Sequence, residues 1–269
     1  MNRRYYFMLI LVNFILVDCK EKDPDIIVSE CNCFIETAKD TYKYPIRPRS
    51  EEWKAFTSSE QMVEATQIPY SILEHMSTIG VFESCAENPL NIDLYISMEP
   101  QRFYDSFKET FNVCKELIKR DDIATELIKR YSIMCLECDA NNYSNFSGKG
   151  GNVESSFASI EFLLAQEDIL SKASKEQCYE LAQLVLKVYE KNIKNGQSIF
   201  FTLFPVWIAA RIMDHYEYPE FLKLKAQNEQ ILIFDSTGIP LLKTGSNYTE
   251  NDIFHEVMKK FKLFLNTKL

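Results

Sequence analysis

Cysteine and histidine are the residues of this chain whose chemistry could support metal binding, redox reactions or nucleophilic catalysis. Two of the eight cysteines form the close pair Cys31-Asn-Cys33, and two more form Cys135-Leu-Glu-Cys138. If both pairs met in space, four thiolates could hold a zinc ion, and either pair could instead form a structural disulfide. Because neither pair follows a βαβ pattern, a redox role has weak support. We interpret most of these thiols as unpaired.

The three histidines are His75, His215 and His255, and each is adjacent to a carboxylate in sequence. Adjacent residues on a helix do not face each other, so these pairs do not indicate acid/base chemistry. His255-Glu256 begins like the zinc motif HExxH, but Lys259 stands where the second histidine must lie. We therefore expect the histidines to be structural or surface residues.

No motif in the sequence identifies a catalytic, cofactor-binding or metal-binding residue, and we predict no cofactor. The glycines of the breaker-rich segment 139–152 lack the spacing of a phosphate-binding loop, and no predicted strand precedes them. Acid/base catalysis by two carboxylates stays open as an alternative, because sequence does not show which acids share a cleft. An α/α-type glycan-acting hydrolase is therefore the alternative to a non-catalytic protein.

Residues 1–18 form a predicted signal peptide. Arg3 and Arg4 precede an apolar core from Tyr5 to Val17, which is too short to serve as a membrane-spanning anchor. Cys19 follows at once, as in a bacterial lipoprotein signal, where this cysteine is acylated and becomes the mature N-terminus. Asp18 departs from that pattern, since the preceding residue is usually small. We predict export, with lipidation of Cys19 as a hypothesis.

The charge balance argues against nucleic-acid binding. Of 30 basic and 39 acidic side chains, the signal removes Arg3, Arg4 and Asp18, which leaves a net charge of −10. Phosphate neutralisation by basic residues supplies most of the affinity for nucleic acids. Because the domain is acidic and has no basic stripe, we exclude nucleic acids as partners. Contact with a membrane would be made by a lipid on Cys19.

Glycine and proline are scarce, at seven and nine residues, which disfavours a β-sandwich or barrel and favours helices. We predict an extended lead-in at 19–52, a first helical half at 53–138, a loop at 139–153 and a second helical half at 154–269. The two halves are expected to form one continuous domain. The predicted fold is all-α, an irregular α-α superhelix with about ten helices in a HEAT- or TPR-like stack of antiparallel pairs.

Apolar periodicity predicts the principal helices. An aromatic stripe marks one helix from Pro100 to Arg120, and others are predicted at 156–170, 174–194, 219–234 and 249–269. In the helix ending near Lys194, the side chains expected to face inward are Cys178, Leu181, Val185, Val188 and Ile193. We also expect Cys85 and Cys114, on other helices, to face inward. Segment 231–234 could instead be a strand. The apolar segment Ile199–Met213 is predicted to be a buried central helix, kinked or broken at Pro205.

Three segments carry a family resemblance. They are IPYSILEHMSTIGVFESCAENPLNIDLYIS (68–97), FNVCKELIKRDDIATELIKRY (111–131) and FLLAQEDILSKASKEQ (162–177). Together they resemble an uncharacterised family of exported, lipoprotein-like helical proteins of gut bacteria. The resemblance implies a helical fold and export, and it implies no catalytic or ligand-binding residue.

These observations predict a non-catalytic, exported helical interaction module. We expect it in the bacterial periplasm or cell envelope, tethered to a membrane through Cys19. Its expected partner is an envelope protein or a glycan, bound on a concave helical surface.

Overall fold

A computed structural model describes residues 37–91, 99–137, 153–197, 199–240 and 249–267 of the chain. Within these ranges there are fourteen helices and no strand, and ten of the helices have seven or more residues. The prediction of an all-α fold is confirmed. The finer prediction of a HEAT- or TPR-like superhelix stays a prediction. The predicted signal peptide and most of the predicted loop at 139–153 lie outside the described residues.

The helices, numbered in chain order, are α1 Glu51–Lys54, α2 Ser59–Ala65, α3 Tyr70–Leu73, α4 Thr78–Ala86, α5 Pro100–Thr110, α6 Asn112–Leu117, α7 Ile123–Glu137, α8 Val153–Leu164, α9 Glu167–Leu170, α10 Lys175–Lys194, α11 Ile199–His215, α12 Pro219–Gln227, α13 Glu229–Thr237 and α14 Glu250–Asn266. Side-chain caps fix several of their starts. Ser77 caps α4, and both Ser174 and Thr249 form capping boxes at α10 and α14.

Helix α11 is the centre of the packing in the second half of the chain. It packs against α8, α9, α10, α12, α13 and α14. Its residues 206–210 are completely buried, which confirms the predicted central helix. The helix runs through Pro205 without ending, so a break there is wrong, and a kink at Pro205 stays a prediction. Contacts on all sides supply the stability that the proline removes.

Three predicted helices are each divided in two. The helix predicted from Pro100 ends at Phe111, whose extended backbone (φ −104°, ψ 128°) separates α5 from α6. The helix predicted from Pro219 ends at Asn228, which is also extended, and the side chain of Asn228 caps α13. The third division lies between α8 and α9. Segment 231–234 belongs to α13, so its helical interpretation is confirmed.

One side chain of α10 that was predicted to face the core is exposed to solvent instead. Cys178, Leu181, Val185 and Val188 are buried as expected, but Ile193 is 55% exposed. Ile193 follows Val188 by five residues, which places it about 140° around the helix from the buried face. The helix then ends at Gly196, whose positive φ of 63° suits a helix C-terminus.

Part of the predicted lead-in packs against α4. The backbone N–H of Tyr42 donates to Ser84 Oγ (2.8 Å), and the Tyr44 hydroxyl donates to the Ser84 carbonyl (2.9 Å). Asp40 accepts hydrogen bonds from the backbone and hydroxyl of Ser77 at the start of α4, and these bonds lower the pKa of Asp40. These contacts fix both the start of α4 and its last turn, which carries Cys85.

Candidate functional site

A small cavity lies between α4, α5, α6 and α8. Four phenylalanines line it, together with two thiols: Phe82, Phe103, Phe107, Phe162, Cys85 and Cys114. We call it the thiol cavity. Its volume is about 30 Å³, room for one or two water molecules, whereas pockets for small organic ligands are about 300–1,000 Å³. The cavity therefore does not offer a saccharide a binding cleft.

The two thiols of the cavity come from different helices. Cys85 lies in the last turn of α4, and Cys114 lies in the first turn of α6. Each residue is buried, and the two thiols are neighbours in the lining of the same cavity. Burial, together with the neighbouring Cys85, raises the pKa of Cys114 well above that of an ordinary thiol. Both are free cysteines, as the sequence predicted.

Two polar side chains, Tyr104 and Lys108, are also part of the lining of the thiol cavity. Tyr104 and Lys108, one turn apart on α5, both donate hydrogen bonds to Asp168 Oδ2 on α9, at 2.8 and 2.9 Å. Burial acts to raise the pKa of Asp168, but the bonds from Lys108 and Tyr104 outweigh it and lower the pKa. The ammonium of Lys108 also lies 4.9 Å from the centre of the Tyr104 ring. This group attaches α5 to α9.

A buried acid, Glu161, lies on α8 next to Phe162. Its carboxyl accepts a hydrogen bond of 2.8 Å from the hydroxyl of Tyr131, which is completely buried on α7. Burial raises the pKa of Glu161 to about 8, although the bond from Tyr131 acts to lower it. A carboxyl with this pKa is mostly protonated at neutral pH.

A second buried acid, Asp235 on α13, belongs to a charged cluster around α11. Lys225 on α12 donates hydrogen bonds to both Asp235 and Asp214. Burial raises the pKa of Asp235, and the bond from Lys225 opposes this shift. The backbone carbonyl of Asp235 accepts a hydrogen bond of 2.8 Å from the indole of Trp207. The cluster thus attaches α12 and α13 to the central helix.

The geometry of these acids bears on the hydrolase alternative. Asp214 and Asp235 are a carboxylate pair, but Lys225 lies between them and bonds to both. A hydrolase of this type needs two carboxyl groups on opposite sides of an open cleft. The lining of the thiol cavity, in turn, contains no carboxylate. Each of these acids has a structural contact that accounts for it.

The histidines are separated from one another. His75 and His255 are exposed, and Nδ1 of His215 lies 2.8 Å from a carboxylate oxygen of Glu167. Among the described residues, no three His, Cys, Asp or Glu side chains are grouped so that they could hold a metal ion. Cys19, Cys31, Cys33 and Cys138 lie outside the described residues, as does the side chain of Cys135 on α7.

Sequence reasoning missed the two groups that border the thiol cavity. Cys85 and Cys114 carry no motif, because their contact depends on how α6 packs against α4. The spacing of Tyr104 and Lys108 shows that they share a face of α5, but their partner Asp168 lies 60 positions after Lys108. A long-range pair of this kind leaves no local signal in the sequence.

Comparisons with protein-family models, with curated proteins and with solved structures found no match for this chain. The resemblance to exported proteins of gut bacteria therefore stays a prediction. Within the described ranges, no helix is both long and apolar enough to cross a membrane.

Proposed function

We propose that this protein is a non-catalytic helical interaction module, exported and tethered to a bacterial membrane. The sequence of residues 1–19 supports export and attachment. The small volume of the thiol cavity and the structural roles of the buried acids support a binding rather than a catalytic function.

The exposure of Tyr70 and Ile72 is the observation that carries this proposal. Both lie on the short helix α3, and their side chains are 62% and 43% exposed. Tyrosine contributes disproportionately to protein interfaces because it offers a large, rigid contact area. Residues two positions apart on a helix lie about 200° apart around its axis, so these side chains face different sides of α3 and offer a protein partner two separate apolar contacts. We call the two side chains together the α3 surface.

The ends of α3 are held firmly by the rest of the fold. Asn112 at the start of α6 exchanges two hydrogen bonds with the backbone of Ile68, of 3.1 and 2.6 Å. At the other end, Leu73 is buried, and its carbonyl accepts a hydrogen bond of 3.3 Å from Arg120. A surface that is already ordered loses little conformational entropy when a partner binds.

A photo-crosslinking residue in place of Tyr70 tests this function in cells that make the full chain. We expect an adduct with an envelope protein that is reduced by Ile72→Ala and competed by excess unmodified protein. The matched control is a crosslinker at Leu232 on α13, which is 47% exposed and lies outside the α3 surface. Equal adducts from both positions, or none from position 70, would contradict the proposal.

The hydrolase alternative is tested with the same purified protein. Envelope glycan is incubated with the full chain, and new reducing ends are measured. The interaction module predicts no release above that of a heat-denatured sample. Turnover that disappears when Asp214 or Asp235 is changed to Asn, with the fold retained, would support the hydrolase instead.

A further inference from the structure

The thiol cavity brings together two cysteines that are distant in sequence. Cys85 and Cys114 are both 6% exposed, and both line the same space of about 30 Å³. The helices that carry them, α4 and α6, pack directly against each other. Cys178 is also buried, but it lies on α10 and does not line this cavity. The chain therefore supplies its own control cysteine.

The position of Cys114 depends on the division between α5 and α6. The extended backbone of Phe111 ends α5, and Gln67 Oε1 accepts a hydrogen bond of 2.9 Å from the backbone N–H of Asn112. These contacts fix the start of α6 and place its first turn against the end of α4. The contact between the thiols thus follows from the packing of the fold.

We propose that Cys85 and Cys114 form a disulfide by exchange with a disulfide-bearing oxidant, a small molecule or a protein. The thiolate of one cysteine attacks a sulfur of the oxidant, which gives a mixed disulfide and releases one thiol. The second cysteine then displaces the remaining thiol. Two cysteine thiols are oxidised, and one oxidant disulfide is reduced to two thiols. The two protons that the cysteines lose are taken up by the two released thiols.

The cavity makes this bond sterically accessible. A disulfide requires a sulfur–sulfur distance of about 2.05 Å, shorter than any contact between two thiols, so both side chains must move closer together. Both cysteines line the cavity, so its empty volume of about 30 Å³ gives their side chains room for this movement. The same burial slows the first step, since thiolate formation at Cys114 is disfavoured.

The disulfide would close the segment that contains α5. This helix is otherwise held to α9 through Tyr104 and Lys108. Cross-linking the ends of a segment of this length restricts the unfolded chain and stabilises the native state. Oxidation is therefore expected to raise the melting temperature without a change in helix content.

The test treats the folded full chain with excess oxidised glutathione at pH 8, followed by alkylation of free thiols and peptide mapping by mass spectrometry. We expect a peptide that links Cys85 to Cys114, with the loss of two hydrogens, and a rise in Tm of about 6–12 °C. Cys178→Ala retains the link and the rise in Tm. Cys85→Ala and Cys114→Ala each lose the link and the rise in Tm. If either variant fails to fold, the peptide map of the wild-type protein still decides the test.

Three results would overturn the proposal. One is linkage that forms only in urea, and another is linkage of Cys85 or Cys114 to any other cysteine. The third is a rise in Tm without the linked peptide. Because the oxidant is added to purified protein, each of these results leaves the proposed export and interaction function standing.

Discussion

Two parts of the core differ in packing and in charge: one contains a small cavity among aromatic rings and thiols, and the other is densely packed around charged side chains. The first is the thiol cavity, where aromatic rings and two uncharged thiols surround a small void. The second, the Trp207 region, consists of Trp207, Arg211, Lys225, Asp235 and Gly238. It is densely packed. Lys225 forms an ion pair with Asp235, and the guanidinium of Arg211 lies over the Trp207 ring. Both regions contact the ring of Phe162, so they belong to one core.

The difference indicates which region can change without loss of the fold. The Trp207 region fixes α12 and α13 on the central helix, and a Cβ added at Gly238 would lie only 3.1 Å from the Trp207 ring, closer than an ordinary contact. The thiol cavity has unfilled volume, so a covalent change there displaces little. Chemistry is therefore expected at the thiol cavity and structural rigidity at the Trp207 region.

The largest effect is expected from Lys225→Met in the Trp207 region. The substitution leaves Asp235 buried without its cation, and we expect a loss of about 3–5 kcal/mol in the free energy of unfolding. Urea denaturation measures it. The control is Lys260→Met, which removes an exposed bond of 3.3 Å to Glu220 and should cost less than about 1 kcal/mol. Equal losses would mean that the cluster does not hold the region together.

The next effect is a pH dependence at Glu161, a buried acid whose donor is a tyrosine rather than a cation. Its folded-state pKa of about 8 lies above the ordinary 4.5, so the folded protein binds more protons than the unfolded chain between these values. The contribution of Glu161 to stability is fully present below pH 4.5 and is lost as the pH rises through 8. We expect its loss to cost about 2–5 kcal/mol.

Glu161→Gln tests this dependence through urea denaturation between pH 5 and pH 9. The variant should lose the decline in stability that the wild type shows, because glutamine does not ionise. Glu180→Gln, at an exposed position on α10, should leave the decline unchanged. A wild-type stability that rises across this range would contradict the assigned role of Glu161.

A smaller loss of unfolding free energy is expected when either of two glycines is changed to alanine, and comparing the two distinguishes the cost of packing from the cost of backbone conformation. Gly196 and Gly238 have positive φ angles of 63° and 75°. A Cβ at Gly196 meets no atom within 4 Å, whereas a Cβ at Gly238 would lie 3.1 Å from the Trp207 ring. Gly196→Ala should cost about 1 kcal/mol, and Gly238→Ala about 2–3 kcal/mol. Equal costs in urea denaturation would show that the Trp207 region is less tightly packed.

The smallest effect is expected at the thiol cavity itself. Cys85→Val adds about one methyl group beside the empty space, and we expect the free energy of unfolding to change by less than about 1 kcal/mol. The measurement is urea denaturation under reducing conditions. A loss greater than that of Gly238→Ala would reverse the comparison between the two regions.

The sequence predicts those elements whose signals are local. Ser77, Ser174 and Thr249 cap helices through local hydrogen bonds, and the apolar segment around Trp207 is the buried central helix that its sequence predicts. The division at Phe111 was not predictable, since Phe111 is not a helix breaker. Its extended backbone depends on Gln67, which hydrogen-bonds the start of α6 from a distant part of the chain. The thiol pair was missed for the same reason, because its contact follows from that division.

The α3 surface and the disulfide can be studied on purified protein, but the proposed function depends on where the chain acts. Residues 1–19 predict that the mature protein begins at Cys19 and is held at a membrane by lipid. The most direct test is the intact mass of the protein isolated from its native membrane. We predict a chain that starts at Cys19 and carries added diacylglycerol. An unmodified chain that is cleaved elsewhere, or not at all, would contradict the membrane-tethered module.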